Sequence, residues 1–120
     1  MSHSVLLQLA RDSIAEVFEA KRTIQKKQLL EEYPLLNEKV SLEIILYLNG
    51  KIRGKSNIEQ NSLLESIILN AKKAAFEDPN FSTLTVSQYL SCELEITLIT
   101  PEGTMSEKDI SLIESYEKTS

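Results

Sequence analysis

The segment Ala71-Lys72-Lys73-Ala74-Ala75-Phe76-Glu77-Asp78-Pro79-Asn80-Phe81 constrains this chain more than any other, because it joins a closely packed helix to an abrupt stop. Alanines at 71, 74 and 75 leave a helix surface small enough for close packing, with Phe76 as bulk beside it. Proline disfavours helical geometry at the residue before it, so Asp78 leaves the helix ahead of Pro79 and Phe81 folds back as an anchor. A capping box, Ser62-Leu63-Leu64-Glu65, opens the same helix. The prediction is one central helix to about Glu77, packing Leu64, Ile67, Ile68, Ala71, Ala74 and Ala75, with Glu65, Asn70, Lys72, Lys73 and Glu77 as its polar positions.

Helical spacing of Leu6, Leu7, Ala10, Ile14, Val17 and Phe18 after a capping Ser4 predicts a first helix, with Arg11, Asp12 and Glu16 at its polar positions. Lys21 to Lys27 is polar and basic. Leu29, Leu30, Tyr33, Leu35 and Leu36 then form an apolar cluster broken by Pro34, read as a helical turn and a loop to Lys39. Residues 42–48 alternate as a strand, with Leu42, Ile44 and Leu46 on one face and Glu43, Ile45 and Tyr47 on the other.

Asn49-Gly50 marks a hairpin whose register is a real choice. A two-residue loop would set Arg53 against Leu46 and Lys55 against Ile44, driving two charges onto the apolar face. A three-residue loop, Leu48-Asn49-Gly50, with Gly50 in the left-handed region, instead pairs Leu46 with Ile52, Ile45 with Arg53 and Glu43 with Lys55. The second register is expected, with Ile52 inward and Lys51, Arg53 and Lys55 outward. Further on, Thr85 and Gln88 form a second capping box for a short turn bringing Tyr89 and Leu90 inward. Leu94, Ile96 and Leu98 alternate in a strand ended by Thr100-Pro101. Ser106 is expected to cap a short C-terminal helix, 107–117, carrying Ile110, Ile113 and Tyr116.

A length of 120 residues suits one domain spanning 1–120, and 42% hydrophobic with 26% charged residues is a globular balance. With a net charge of −5 and pI near 4.9 the chain is a poor match for nucleic acid, which selects clustered Lys and Arg. Exposed aromatics for base stacking are scarce as well. Cys92 is the only cysteine, so neither an internal disulfide nor a cysteine-cluster metal site is expected, and a reducing, cytoplasmic setting fits. No basic-then-apolar leader opens the sequence and no apolar run approaches the ~20 residues of a membrane helix, so no membrane role is expected.

Several pieces, in order, resemble the AMMECR domain family. Leu6-Leu7-Gln8-Leu9-Ala10-Arg11-Asp12-Ser13-Ile14 is similar to its first helix, and Asn49-Gly50-Lys51-Ile52-Arg53-Gly54 stands where the family has a glycine turn and an L-R-G-C-I-G motif. Ala74 to Phe81 resembles the A-A-F-x-D-P-R-F segment, and Leu94 to Pro101 the following strand, so the resemblance spans roughly 5–101. Lys55, Ser56 and Asn57 replace the Cys, apolar residue and Gly of the first motif, and Asn80 replaces the arginine of the second. The motif's thiol is thereby lost, and with it a guanidinium that could bind an anion bidentately or pair with a carboxylate. The family continues through a glycine-rich C-terminal portion where this sequence has a short polar stretch. The resemblance implies an α+β fold and hardly any particular activity, the family being associated with partner proteins.

Lys51, Arg53 and Lys55 alternate along one strand, which could hold an anion but is more routinely a charged guard on a sheet edge. Gly54 admits close backbone approach by a ligand or marks a bulge. Glu93 and Glu95 read as solvated alternation rather than an acid and base pair, Cys92 as packing, and His3 as a terminal residue without partners. The expectation is therefore an α+β domain, an antiparallel sheet of at least three strands against two main helices. Its role is read as a non-catalytic accessory domain, without cofactor or metal, that forms a homodimer or binds a protein partner. Tyr47, Lys51, Arg53, Gly54 and Lys55 are the expected binding residues, with a small anionic ligand held weakly; the alternative is a small-molecule or cofactor-handling enzyme with its pocket near Arg53 and Gly54.

Overall fold

The computed structural model describes residues 4–114. Four antiparallel strands, β1 (Ser41–Leu48), β2 (Lys51–Ser56), β3 (Glu93–Thr100) and β4 (Gly103–Lys108), form one sheet in the order β2-β1-β3-β4. Helices α1 (Val5–Glu19) and α3 (Leu63–Phe76) pack on one of its faces, with the shorter α2 (Lys26–Glu32) and α4 (Val86–Ser91) at the margins. The α+β expectation holds, with one strand more than the minimum.

The two long helices start where the caps direct. Ser4 Oγ accepts from the Leu7 amide, and Ser62 Oγ from the Glu65 amide. Leu64, Ile67, Ile68, Ala71, Ala74 and Ala75 are all buried, together with Leu7, Ala10 and Ile14 of α1 and Leu42, Ile44, Leu46, Leu94 and Ile96 of the sheet. Asn70, a polar position of α3, does not face solvent. It is fully buried, its amide oxygen accepting from the Ser56 hydroxyl and the Ile58 amide while its nitrogen donates to Ile58 and Ser66 carbonyls. This one side chain ties the end of β2 to the middle of α3. Val17 is exposed, because α1 runs past the edge of the core before Ala20 caps it in the left-handed region at φ 54.

Around Pro34 the expected turn becomes α2 and a 3-10 turn at Pro34–Asn37, which bury only Leu36 of that cluster. Thr85 and Gln88 do form a capping box, but the α4 turn it starts buries Tyr89 and leaves Leu90 exposed. Phe81 is likewise no buried anchor; its ring is partly exposed. The expected helix at 107–117 is corrected. Residues 103–108 continue the sheet as β4, where the Ser106 and Thr97 hydroxyls hydrogen-bond instead of capping. Of 107–117, only 112–114 are helical among the described residues; Tyr116 and His3 lie outside them.

The hairpin follows neither register weighed from sequence. Asn49 and Gly50 form a two-residue turn, with φ 55 and 78, pairing Leu48 with Lys51 and Tyr47 with Ile52. A bulge then interrupts the ladder, so that Leu46 lies opposite Gly54 and Ile45 opposite Lys55, with Arg53 as the extra residue. Ile52 is therefore 45% exposed while Arg53 is 8% exposed, the reverse of the expectation. The physical reason lies in α3. Its backbone presses on β2, and a Cβ on Gly54 would sit 2.0 Å from the Ala74 carbonyl oxygen. The bulge brings the side-chain-free residue under that carbonyl. Ile52→Ala is expected to change stability by under about 0.5 kcal/mol. Arg53→Ala should cost roughly 1–2 kcal/mol through lost packing and bared acceptors. Paired urea melts check this, and a larger loss for Ile52→Ala would contradict the bulged register.

Candidate functional site

The sheet's second face carries no helix among the described residues. Across it run Tyr47 with Ile52 and Glu93, then Lys55, Ile45, Glu95 and Lys108, then Glu43 with Thr97 and Ser106, then Ile99 with Thr104. The strands impose this order because alternate side chains share a face. The Tyr47 hydroxyl donates to Glu95 at 2.9 Å, and Lys108 Nζ lies 4.4 Å from the Tyr47 ring centre and 3.3 Å from Glu93. Hydrogen bonding to Glu95, with some burial, pushes the Tyr47 phenol up from its ordinary range, so it is a proton donor here. Ile52 and Ile99 stay 45% and 46% exposed between these polar groups. These two apolar side chains stand at opposite ends of a face carrying side chains of both charge signs.

The expected binding residues separate. Tyr47 and Lys55 belong to this open face, whereas Lys51 is exposed at the turn opposite Leu48. Arg53 turns toward the helix side, where Nη2 donates to the Ser82 carbonyl at 2.7 Å and to Gln88 Oε1 at 3.2 Å, and the Phe81 ring centre lies 5.3 Å from the guanidinium carbon. Gly54 is covered by Ala74. Asp78, just before Pro79, accepts from the amides of Asn80 and Lys55, which hold its carboxyl below the usual range and pin the loop to β2. In this way the segment Asp78–Phe81 and the strand Arg53–Lys55 form one corner.

Two clefts open on either side of the connection after α1. The larger, about 650 Å³, is lined by Lys21, Arg22, Lys26 and Lys72 over Ile24 and Ile68. The other, about 390 Å³, shares Ile24 but carries Asp12 and Glu32. Glu16 builds the connection between them. Burial pushes its pKa upward, but the amides of Ile24 and Thr23 and the nearby Lys72 and Arg22 outweigh that and hold the carboxyl below its usual range. Neither cleft is lined by Arg53 or Gly54.

A buried polar centre went unread in the sequence. Arg11, assigned to a polar helix position, is 1% exposed. Its Nε and Nη2 donate to the two Asp109 oxygens at 2.8 and 3.0 Å, its Nη2 also to the Cys92 carbonyl, and its Nη1 to the Tyr89 carbonyl and Cys92 Sγ. The whole guanidinium is thereby used. Burial alone would lower its pKa, yet Asp109 more than reverses that. Desolvation pushes the Tyr89 phenol up to about 12 and raises the Cys92 thiol despite nearby Arg11, so both hold their protons near neutral pH. The one signal in the sequence was position: Arg11 lies four residues after Leu7 and three before Ile14, both buried. Its partner, Asp109, is 98 residues away.

The sequence model of the AMMECR1 family matches residues 7–117. The chain belongs to the AMMECR1 family. The match reaches past the resemblance at 5–101 and takes in β4 and Asp109 of this AMMECR1 domain. Protein SSO0193 of Saccharolobus solfataricus is 32% identical over 111 residues, covering 88% of this chain and 48% of that protein. The crystal structure of the uncharacterized protein PH0010 from Pyrococcus horikoshii has the same fold, with a TM-score of 0.69 and 24% identity over 80% of this chain and 50% of that one. The chain therefore spans about half the length of these two relatives. No helix among the described residues is long and apolar enough to cross a membrane. Among them, too, no group of three or more His, Cys, Asp or Glu side chains is arranged to hold a metal ion.

Proposed function

We propose that this AMMECR1 domain is a non-catalytic accessory domain that works by protein association, with a second copy of the chain seated on its open sheet face. The observation that carries the reading is the exposure of Ile52 and Ile99 on a face that no helix covers among the described residues. A two-fold interface must complement itself. Lys55 and Lys108 beside Glu43, Glu93 and Glu95 supply both signs of charge within one patch, as that symmetry requires. Tyr47 is the central anchor, an aromatic already held in one orientation by Glu95 and Lys108. A cytoplasmic setting belongs to the same reading, with Cys92 as a free, buried thiol in support.

The test is light scattering of the chain over a wide range of concentration. A dimer is expected, and Ile99→Lys should return it to monomer while leaving the circular dichroism spectrum unchanged, because Ile99 contributes more to the outer surface than to the core. A parent chain that is monomeric at every concentration would overturn the reading. So would a dimer indifferent to Ile99→Lys and to Ile52→Glu.

A further inference from the structure

Arg53 combines three properties that do not ordinarily occur together. It is 8% exposed, it forms no ion pair among the described residues, and its Nη1 is buried without an acceptor. A buried charge is normally paired or neutralised. The contrast is inside the same molecule, where buried Arg11 has Asp109. Nothing in the local chain can do the same for Arg53, since no acidic residue occurs between Asp78 and Glu93, the segment holding both of its hydrogen-bond acceptors. Asp78 itself is engaged by the amides of Lys55 and Asn80.

We propose that Arg53 is the anchor of a binding site for a small oxyanion, whose oxygen takes the two unused N–H groups of Nη1. The Ser82 carbonyl and Gln88 Oε1 fix the guanidinium through Nη2, so the donor is oriented before the anion arrives. Phe81 borders the site, its ring centre 5.3 Å from the guanidinium carbon and the residue itself 39% exposed. Carboxylate and phosphate share the required chemistry. The site lies on the helix side of the bulge, away from the open sheet face, and stands or falls independently of dimer formation.

The decisive variant is Gln88→Glu. Glutamate keeps an oxygen for both the Arg53 Nη2 and the Thr85 amide, preserving the capping box, while supplying the missing negative charge from within the chain. Backbone amide shifts of the parent chain are followed by NMR during titration with sodium phosphate, with sodium acetate, and with sodium chloride at matched ionic strength. Saturable shifts confined to residues 53–55 and 81–88 are expected with one or both oxyanions and not with chloride. The stronger of phosphate and acetate names the class. Gln88→Glu should raise Tm and weaken the response by at least about tenfold. The proposal is overturned by shifts that merely track ionic strength, by shifts mapping to Lys21, Arg22 and Lys72 instead, or by an unchanged response in Gln88→Glu.

Discussion

Gly54→Ala is expected to destabilise this domain by more than about 3 kcal/mol, a large part of the roughly 5–15 kcal/mol that holds a domain folded. The new methyl would stand 2.0 Å from the Ala74 carbonyl oxygen and 3.0 Å from its carbon. Both are backbone atoms of α3, and a rotamer change cannot move them. Relief requires lifting the helix from β2 or pushing β2 out of line, and either breaks the packing of Ala71, Ala74 and Ala75 against the sheet. Ala74→Gly in the same chain should not rescue the variant, because the obstruction is the carbonyl and not the alanine methyl. Urea melts measure both. A Gly54→Ala midpoint near that of the parent would mean that α3 and β2 do not approach as closely as described.

Arg11→Met should cost about 3–5 kcal/mol, the loss usual when one member of a buried ion pair is removed. Methionine fills much of the volume but abandons the Asp109 carboxylate and the Tyr89 and Cys92 carbonyls in the core. Asp109 also accepts from the Leu94 amide, so this centre links α1, the start of β3 and the chain leaving β4. Asp109→Asn keeps an acceptor for that amide while removing the charge. The double variant should lose less than the sum of the two single losses, by about 1 kcal/mol or more, because the second substitution removes the charge that the first left unpaired. Strict additivity in denaturant melts would show that the two side chains act independently and would refute the pairing.

Elements were legible in this sequence wherever one chemical rule acted over a short range. Ser4 and Thr85 cap their helices as expected, and Ser62 caps α3 through the Glu65 amide while the Glu65 carboxylate pairs with Lys26 rather than closing the capping box; a cap needs only an oxygen close to the free amides of a helix start. The alternation of Leu42, Ile44 and Leu46 specified the face of β1, and the small-residue stripe of α3 specified where a neighbour comes close. Ser106 shows the limit of that kind of reading. A serine ahead of an amphipathic stretch is a helix start in isolation, yet the free edge of β3 captured Ser106 and the first two residues of that stretch, Glu107 and Lys108, in β4.

Local patterning sufficed for the α+β class, the central helix that ends ahead of Pro79, and the membership announced by the Ala74–Phe81 and Gly50–Gly54 pieces. The hairpin register came from packing across the fold, because charge burial along the strand distinguishes the two candidate registers while the deciding contact comes from the Ala74 carbonyl, 20 residues further along the chain than Gly54. Arg53 thereby moved from the surface to a buried corner. Likewise nothing near Arg11 foretold Asp109, as the two meet only after the sheet brings the end of β4 back beside α1. Caps, alternation and small-residue stripes report interactions within a few residues; which charge is buried, and against what, depends on groups that the chain brings together only when folded.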